Sequence, residues 1–436
     1  MSETKQINTR FHLTTLINFL LLVATVVSII PTTAEAIPSF ARKYNISCNT
    51  CHAAFPRLNE FGEQFAADNL RMPNWKDNTL DTGDDMLALP NSLPLALRVQ
   101  AFAQSRESEA IDVITGASVS ADSDFQAPYL IKLLSSAPLS DHISYYFYAI
   151  FAEKGDNGSV IVEDAWFSHD DIFDTGISMI FGQFQVSDLM FPRETRMTFQ
   201  DFMVYRMAGL TYDRGTVFQY TAGAVDLAVG LVNGNGIEEN VGINSPGFKR
   251  ADHLFDNNSG KALFGRVGGD IAGANIGLFA YSGSQRNATG AAGTVNGNRN
   301  TDKVSYGIDL SGKLGDDTYW FAQLLQNNWD NFINTNTQYR WFGGFAGIDY
   351  IYSERWAYSF LYNYTDANDL KNTDTVYEGI DMNSLTLAAS YYFMRNIKGV
   401  IEINIDLLDT VNQTGTFWTG HLSGESNLLL GFDAAF

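Results

Sequence analysis

From residue 93 to Phe436 the chain is a succession of segments in which apolar and polar side chains alternate, parted by connections that are in turn short and long. Period-two alternation places one face of a segment in an apolar medium and the other in a polar one. Sixteen strands are expected, at 93–102, 125–134, 143–151, 160–168, 176–184, 203–212, 217–232, 262–269, 275–281, 304–312, 318–326, 339–350, 355–364, 383–393, 397–407 and 427–436. The connections 135–142, 169–175, 213–216, 270–274, 313–317, 351–354 and 394–396 are short. Those at 103–124, 185–202, 233–261, 282–303, 327–338, 365–382 and 408–426 are long, and 152–159 is brief within the long class. An even strand count with short turns at one end and longer loops at the other is the pattern of a closed outer-membrane barrel, with both termini on the periplasmic side. The expected fold is therefore all-β, a 16-stranded transmembrane barrel over residues 91–436.

Individual strands carry the same message. Phe436, Ala434, Phe432, Leu430 and Leu428 share one face, with Asp433 and Gly431 on the other. A terminal Phe behind alternating apolar residues resembles the signal read by barrel-assembly machinery. Ile401, Ile403 and Ile405 alternate with Glu402, Asn404 and Asp406, which implies a lipid-facing outside and a polar lumen. With 37 Gly, 20 Tyr and 31 Phe but only 18% charged residues, the composition suits many alternating strands with aromatic girdles.

Ahead of the strands stands Cys48-Asn49-Thr50-Cys51-His52, a C-x-x-C-H motif that holds the only two cysteines of the chain. In such a motif two thiols add across the vinyl groups of a haem and the adjacent His becomes the proximal iron ligand. The spacing predicts one covalent haem c on Cys48 and Cys51, with His52 on the iron. A thioredoxin-like redox pair does not need the His and expects a βαβ context, which is absent. Residues 1–36 read as a secretory signal: Lys5 and Arg10 form a positive start, 16–30 an apolar stretch, and Ala34-Glu35-Ala36 a small-x-small cleavage site. The apolar stretch is shorter than the ~20 residues of a spanning helix. Export places the motif in the compartment where haem c is attached.

The haem segment, 37–90, carries Pro38, Pro56, Pro73 and Pro90, which limit helix length, and one helix is expected over 57–69 with Leu58, Phe61 and Phe65 on one face. So short a segment cannot enclose a haem alone. Its walls must come from the barrel, as a plug inside or against the periplasmic mouth.

Pro38-Ser39-Phe40-Ala41-Arg42 before the motif, and Pro56-Arg57-Leu58-Asn59-Glu60-Phe61-Gly62 with Phe65 after it, resemble the N-terminal segment of the fused monohaem cytochrome-porins of iron-oxidising bacteria. Over the barrel that resemblance is architectural. It implies an outer-membrane iron oxidase that takes electrons from extracellular Fe(II) and passes them to a periplasmic cytochrome or other soluble carrier.

For the distal iron position Met72 is the first candidate, twenty residues beyond His52 and ahead of Pro73; a thioether there would raise the potential. A packing Met is the alternative. Met86 is a poorer candidate, and Met190 and Met197 lie in a long connection that could fold inward. His142 and His169 fall near short turns and His253 and His421 in long loops, where a solvated His is the simpler reading. The formal charge of −21 includes Asp122, Asp124, Asp201, Glu238, Glu239, Asp366 and Asp369 in expected outer loops. Such residues could draw a cation to the mouth, although solubility explains any one of them. So acidic a chain makes nucleic acid an implausible partner. The Gly-rich stretches do not match a phosphate-binding pattern. Two readings survive: an electron-transfer protein of the outer membrane, and a solute porin whose haem-bearing plug acts as a redox-sensitive gate.

Overall fold

A computed structural model describes the chain except for residues 1–38, 73–79, 81, 85, 88, 90–93, 107–109, 112–117, 121–122, 154–159, 236–255, 257, 287–288, 291–292, 295–299, 371–380 and 409–425. The secretory-signal expectation over 1–36, and His253, His421, Asp122, Glu238 and Glu239, lie outside the described residues.

Sixteen antiparallel strands close into one barrel. In chain order they are β1 Leu95–Arg106, β2 Ser123–Pro138, β3 Ile143–Glu153, β4 Ile161–His169, β5 Ser178–Gln185, β6 Tyr212–Ala222, β7 Val225–Val232 and β8 Ala262–Ile271. The circuit continues with β9 Ala274–Arg286, β10 Asn300–Leu314, β11 Thr318–Asp330, β12 Gln338–Ile351, β13 Trp356–Asp366, β14 Met382–Met394, β15 Ile397–Asp406 and β16 Asn427–Ala435. Each strand pairs with its neighbour in sequence, and β16 returns to β1 in the register Leu428↔Ser105 to Ala435↔Arg98. Closure leaves the barrel itself no unpaired edge, the condition for crossing a bilayer with strands.

The alternation read from sequence sets the two faces. Leu263, Leu278, Leu324, Ile348, Leu387, Ile401, Ile403 and Phe432 are exposed on the outside, while Glu402, Asn404 and Asp433 are buried inside. A face this apolar is stable only in lipid.

Two expectations need correction, and they cancel in the count. Residues 203–212 do not form a strand: Met203–Ala208 is a helix inside the lumen, preceded by the turns Val186–Leu189 and Arg193–Thr195. Residues 217–232 are not one strand but parts of β6 and β7, a hairpin turning at Gly223 with φ 66°. A continuous apolar run is compatible with either a helix or a strand, so periodicity could not place 203–208. The hairpin turn, Ala222-Gly223-Ala224, lacks the Asn or Asp that usually marks one.

Among the described residues three α-helices position the interior: α1 Ser39–Tyr44, α2 Glu60–Ala67 and α3 Met203–Ala208. The expected helix over 57–69 starts later, because Asn59 caps it by accepting from Gly62 N at 2.9 Å and because Arg57–Leu58 pairs with His52–Ala54. The segment 39–72 docks at the short-turn end. Asn69 Nδ2 donates to His142 O at 3.0 Å, Ser144 Oγ to Asn69 O at 2.7 Å, and Arg71 Nη2 to Ser140 O at 2.6 Å. Arg57 reaches deeper, beside Asp349 of β12 at 3.6 Å and over the rings of Phe191, Tyr319 and Phe321 at 5.1–5.3 Å.

The connection 186–211 folds into the lumen and touches wall strands on several sides. Glu402 of β15 accepts from Phe199 N at 2.6 Å and Gln200 N at 2.8 Å; Met203 N meets Asn363 of β13, Tyr205 Oη meets Gln323 of β11, and Glu194 meets Lys132 of β2. Phe202 stacks on Phe345 at 4.3 Å and Phe191 on Phe321 at 4.5 Å. Phe202, Tyr205, Leu210, Trp329 and Trp341 are fully buried within the barrel. This is a hydrophobic core held inside a membrane barrel, across the path a solute would take.

Candidate cofactor site at the short-turn mouth

Tight local bonding shapes the C-x-x-C-H turn. Thr50 N donates to Ser47 O and Cys51 N to Cys48 O, at 3.0 and 3.2 Å, winding one turn of 3-10 helix. Asn59 ties this turn to the next element: its backbone N donates to Cys51 O at 2.9 Å, its Nδ2 to Asn49 O and Thr50 O at 3.2 and 3.1 Å, and its Oδ1 caps α2. Gly62 is where α2 crosses the turn, and a Cβ built there would lie 2.0 Å from Cys51 O. Only glycine allows that approach.

His52 Nδ1 lies 3.1 Å from Pro56 O. Donation to that carbonyl puts the proton on Nδ1 and leaves the Nε2 lone pair free, the arrangement found where imidazole binds a metal. Burial lowers the His52 pKa to about 4, outweighing the carbonyls of Pro56 and Arg57. Burial thus favours the neutral ring, the form in which imidazole binds a metal. Burial also pushes up the Cys48 and Cys51 thiols, the latter further beside Cys48. A redox-active C-x-x-C pair needs the opposite shift.

Cys48, Cys51 and His52 all line one cavity of about 340 Å³. Phe40, Ile46, Leu58, Phe65 and Leu70 wall it from the N-terminal segment, and Ala96, Leu97 and Leu134 from the barrel. Phe65 is held edge-on by Phe40 and Tyr44, with centroids 5.2 and 5.9 Å away. Arg98, Tyr146, Tyr148 and Glu194 close the deep side. Two thiols, one imidazole, apolar walls and a cation at the far side match the requirements of a tethered haem. The wall is shared: the segment supplies the thiols, the imidazole and part of the apolar lining, and the barrel the rest.

Met72 is half-buried and follows the Arg71 clamp, and it is not among the residues that line this cavity. Met86 is exposed. Met190 sits in the lumen core as acceptor of Gln323 Nε2, and Met197 packs on Ala54, Phe55 and Tyr392. The described lining thus brings Cys48, Cys51 and His52 together and leaves the methionines outside. His142 and His169 stack at 5.5 Å at the short-turn rim, with His142 Nδ1 2.7 Å from Asp170. Asp201, expected in an outer loop, instead lies buried in the lumen, clamped by Arg193 and 3.7 Å from Arg196. It cannot attract cations at the mouth. Among the described residues no group of three or more His, Cys, Asp or Glu side chains is placed to hold a metal ion.

Sequence reading missed the charged floor, formed by Arg98 and Glu194 with Lys132 behind them on Glu194. Arg98 shares the lumen phase of its strand with Gln100, Gln104 and Arg106, so alternation did not single it out. Nor did it single out the partner Glu194, on a connection that folds inward.

Scans against family models and against curated proteins found no match. Solved structures share the fold. OmpT of Vibrio cholerae, described as an outer membrane protein in trimer form, superposes with TM-score 0.53 at 11% identity, over 79% of this chain and 99% of that one. An anion-selective porin from Comamonas acidovorans gives 0.51 at 14%, over 79% and 99%, and Salmonella typhi OmpF in complex with daunomycin gives 0.53 at 12%, over 79% and 97%. The chain has the porin-like barrel fold of bacterial outer-membrane proteins.

Proposed function

We propose that this is an outer-membrane c-type cytochrome-porin that oxidises extracellular Fe(II) and passes the electron through one covalent haem to a periplasmic cytochrome or similar soluble carrier. The observation that carries the reading is the convergence of Cys48, Cys51 and His52 on one apolar cavity finished by the barrel wall. In this reading the short-turn end, where the segment docks, faces the periplasm, and the haem stands next to its acceptor. Iron would enter as substrate, each Fe(II) leaving as Fe(III) with one electron given up; Cys48, Cys51 and His52 would hold the haem, which would supply the one-electron relay between iron and carrier.

The packed lumen favours this over the porin with a redox-sensitive gate. Phe191, Phe202, Phe321 and Phe345 stack across the interior, so an electron has a protein medium to cross while a hydrated solute meets a core. The test is anaerobic visible spectroscopy of the oxidised, detergent-solubilised protein during Fe(II) addition. Growth of sharp reduced c-type bands supports an iron oxidase. Bands that dithionite raises and Fe(II) does not would overturn Fe(II) as donor.

A further inference from the structure

Arg98 of β1 and Lys132 of β2 are direct cross-strand partners, and both point into the lumen. Like charges placed opposite one another on neighbouring strands repel, so the pair demands an anion. Glu194 meets part of that demand. Its Oε1 and Oε2 each lie 3.0 Å from Lys132 Nζ, and Oε2 is 3.1 Å from Arg98 Nη1 and 3.3 Å from Tyr148 Oη. Arg98 also makes a fork to Asp433, with bonds of 2.9 and 2.8 Å.

The demand is not exhausted. A polar cleft behind the cofactor cavity, sharing Arg98 and Glu194 with it, is lined by four cations, Arg98, Lys132, Arg196 and Lys398, and two carboxylates, Glu194 and Asp433. Behind the lining, Asp201 is shared between Arg193 and Arg196, while Glu163 acts on Lys132 and Glu402 on Arg196 and Lys398, in a chain whose formal charge is −21. Glu194 and Asp433 are each shared between two cations.

Resting on the haem reading above, we propose that Arg98 and Lys132 are positioning residues that receive a haem propionate, with Glu194 competing for the same two cations. The thiols fix the vinyl edge at Cys48 and Cys51. The carboxylate edge of the macrocycle would lie opposite, and the far side of the cavity is closed by Arg98 and Glu194, with Lys132 bonded to Glu194 from the polar cleft behind. Arg suits a carboxylate by its fork, and Lys132, buried, gains most from a second anion. Because Glu194 belongs to the connection 186–211, the same ions tie the haem edge to the loop that fills the lumen.

The test uses the full-length, haem-loaded protein in detergent and the variants K132Q, K132R, R98Q and E194Q. Resonance Raman reads the propionate bending band, redox titration reads the midpoint, and a pyridine haemochrome assay with heat-modifiable gel mobility confirms covalent haem and a closed barrel. The expected result is a shifted band and a lowered midpoint in K132Q and R98Q, restoration in K132R, and shifts of opposite sign in E194Q, where both cations are freed for the propionate. K132Q keeps the Arg98–Asp433 fork, so it stays informative if R98Q does not fold. A native propionate band in K132Q would overturn the proposal while leaving the haem reading in place. A native chain without covalent haem would overturn both.

Discussion

At the scale of single residues the cofactor motif depends on contacts its own spelling does not mention. C-x-x-C-H specifies two thiols and an imidazole, but Asn59 holds the turn in shape and Gly62 lets α2 lie against Cys51 O. A methyl group at residue 62 would meet backbone at 2.0 Å, which cannot give as a flexible side chain can. Gly62→Ala should therefore push α2 off the turn, at a cost of about 1–3 kcal/mol or more. Haem staining should fall, and proteolysis between α1 and α2 should speed up, while the barrel keeps its heat-modifiable mobility. Unchanged staining and protease resistance would show that the crossing is looser than the geometry implies. Cys48, Cys51 and His52 could be singled out from local spacing alone, and the structure brings all three to one cavity. Asn59 and Gly62 were legible as a cap and a helix residue, not as the clamp, since that role depends on where α2 passes.

At the scale of elements the connection 186–211 decides what the barrel is. Sequence alternation identified fourteen strands within a few residues and failed only beside this connection, where an apolar run enters the lumen instead of the wall. Both environments are dry, so an apolar run does not tell them apart. One anchor of the connection is electrostatic. Burial alone would raise the Glu194 pKa, yet Lys132 and Arg98 outweigh it and hold the group down to about 2. A carboxylate depressed in the folded state adds stability that is full above its unfolded pKa, near 4.5, and fades as pH falls toward 2. Pepsin cleavage within 186–211 should thus accelerate over that interval in the native chain, and E194Q should lose much of the pH dependence. The other anchor is packing. Phe202 has no exposed surface, and replacing it and Phe191 by Ala removes the stacks on Phe345 and Phe321, at about 3–5 kcal/mol each. Planar-bilayer recording should show little conductance for the native protein and a clear rise for the double variant. A native protein that conducts freely would restore the porin reading.

At the scale of the whole molecule, N-terminal segment and barrel share one interior. The segment brings thiols, imidazole and part of the apolar wall; β1, β2 and β3 bring the rest, with Ala96, Leu134 and Tyr148 facing the same cavity. The sequence could say that so short a segment needs borrowed walls, because that follows from size. It could not say which strands lend them, because the docking contacts join residues far apart in the chain, as Arg57 does with Asp349. That contact is the sharpest test of a shared interior. Arg57 and Asp349 are both buried, and three aromatic rings surround the guanidinium. Removing one partner of a buried ion pair leaves the other charge uncompensated, typically at 3–5 kcal/mol. Arg57→Ala should release the segment without opening the barrel: residues 39–72 become sensitive to protease and the haem accessible to small exogenous ligands. Arg57→Ala with Asp349→Leu removes both charges and should recover much of the docking. A soluble, stable cytochrome cut from the native protein by protease would overturn this picture, since a segment able to enclose its haem alone would have no use for the wall.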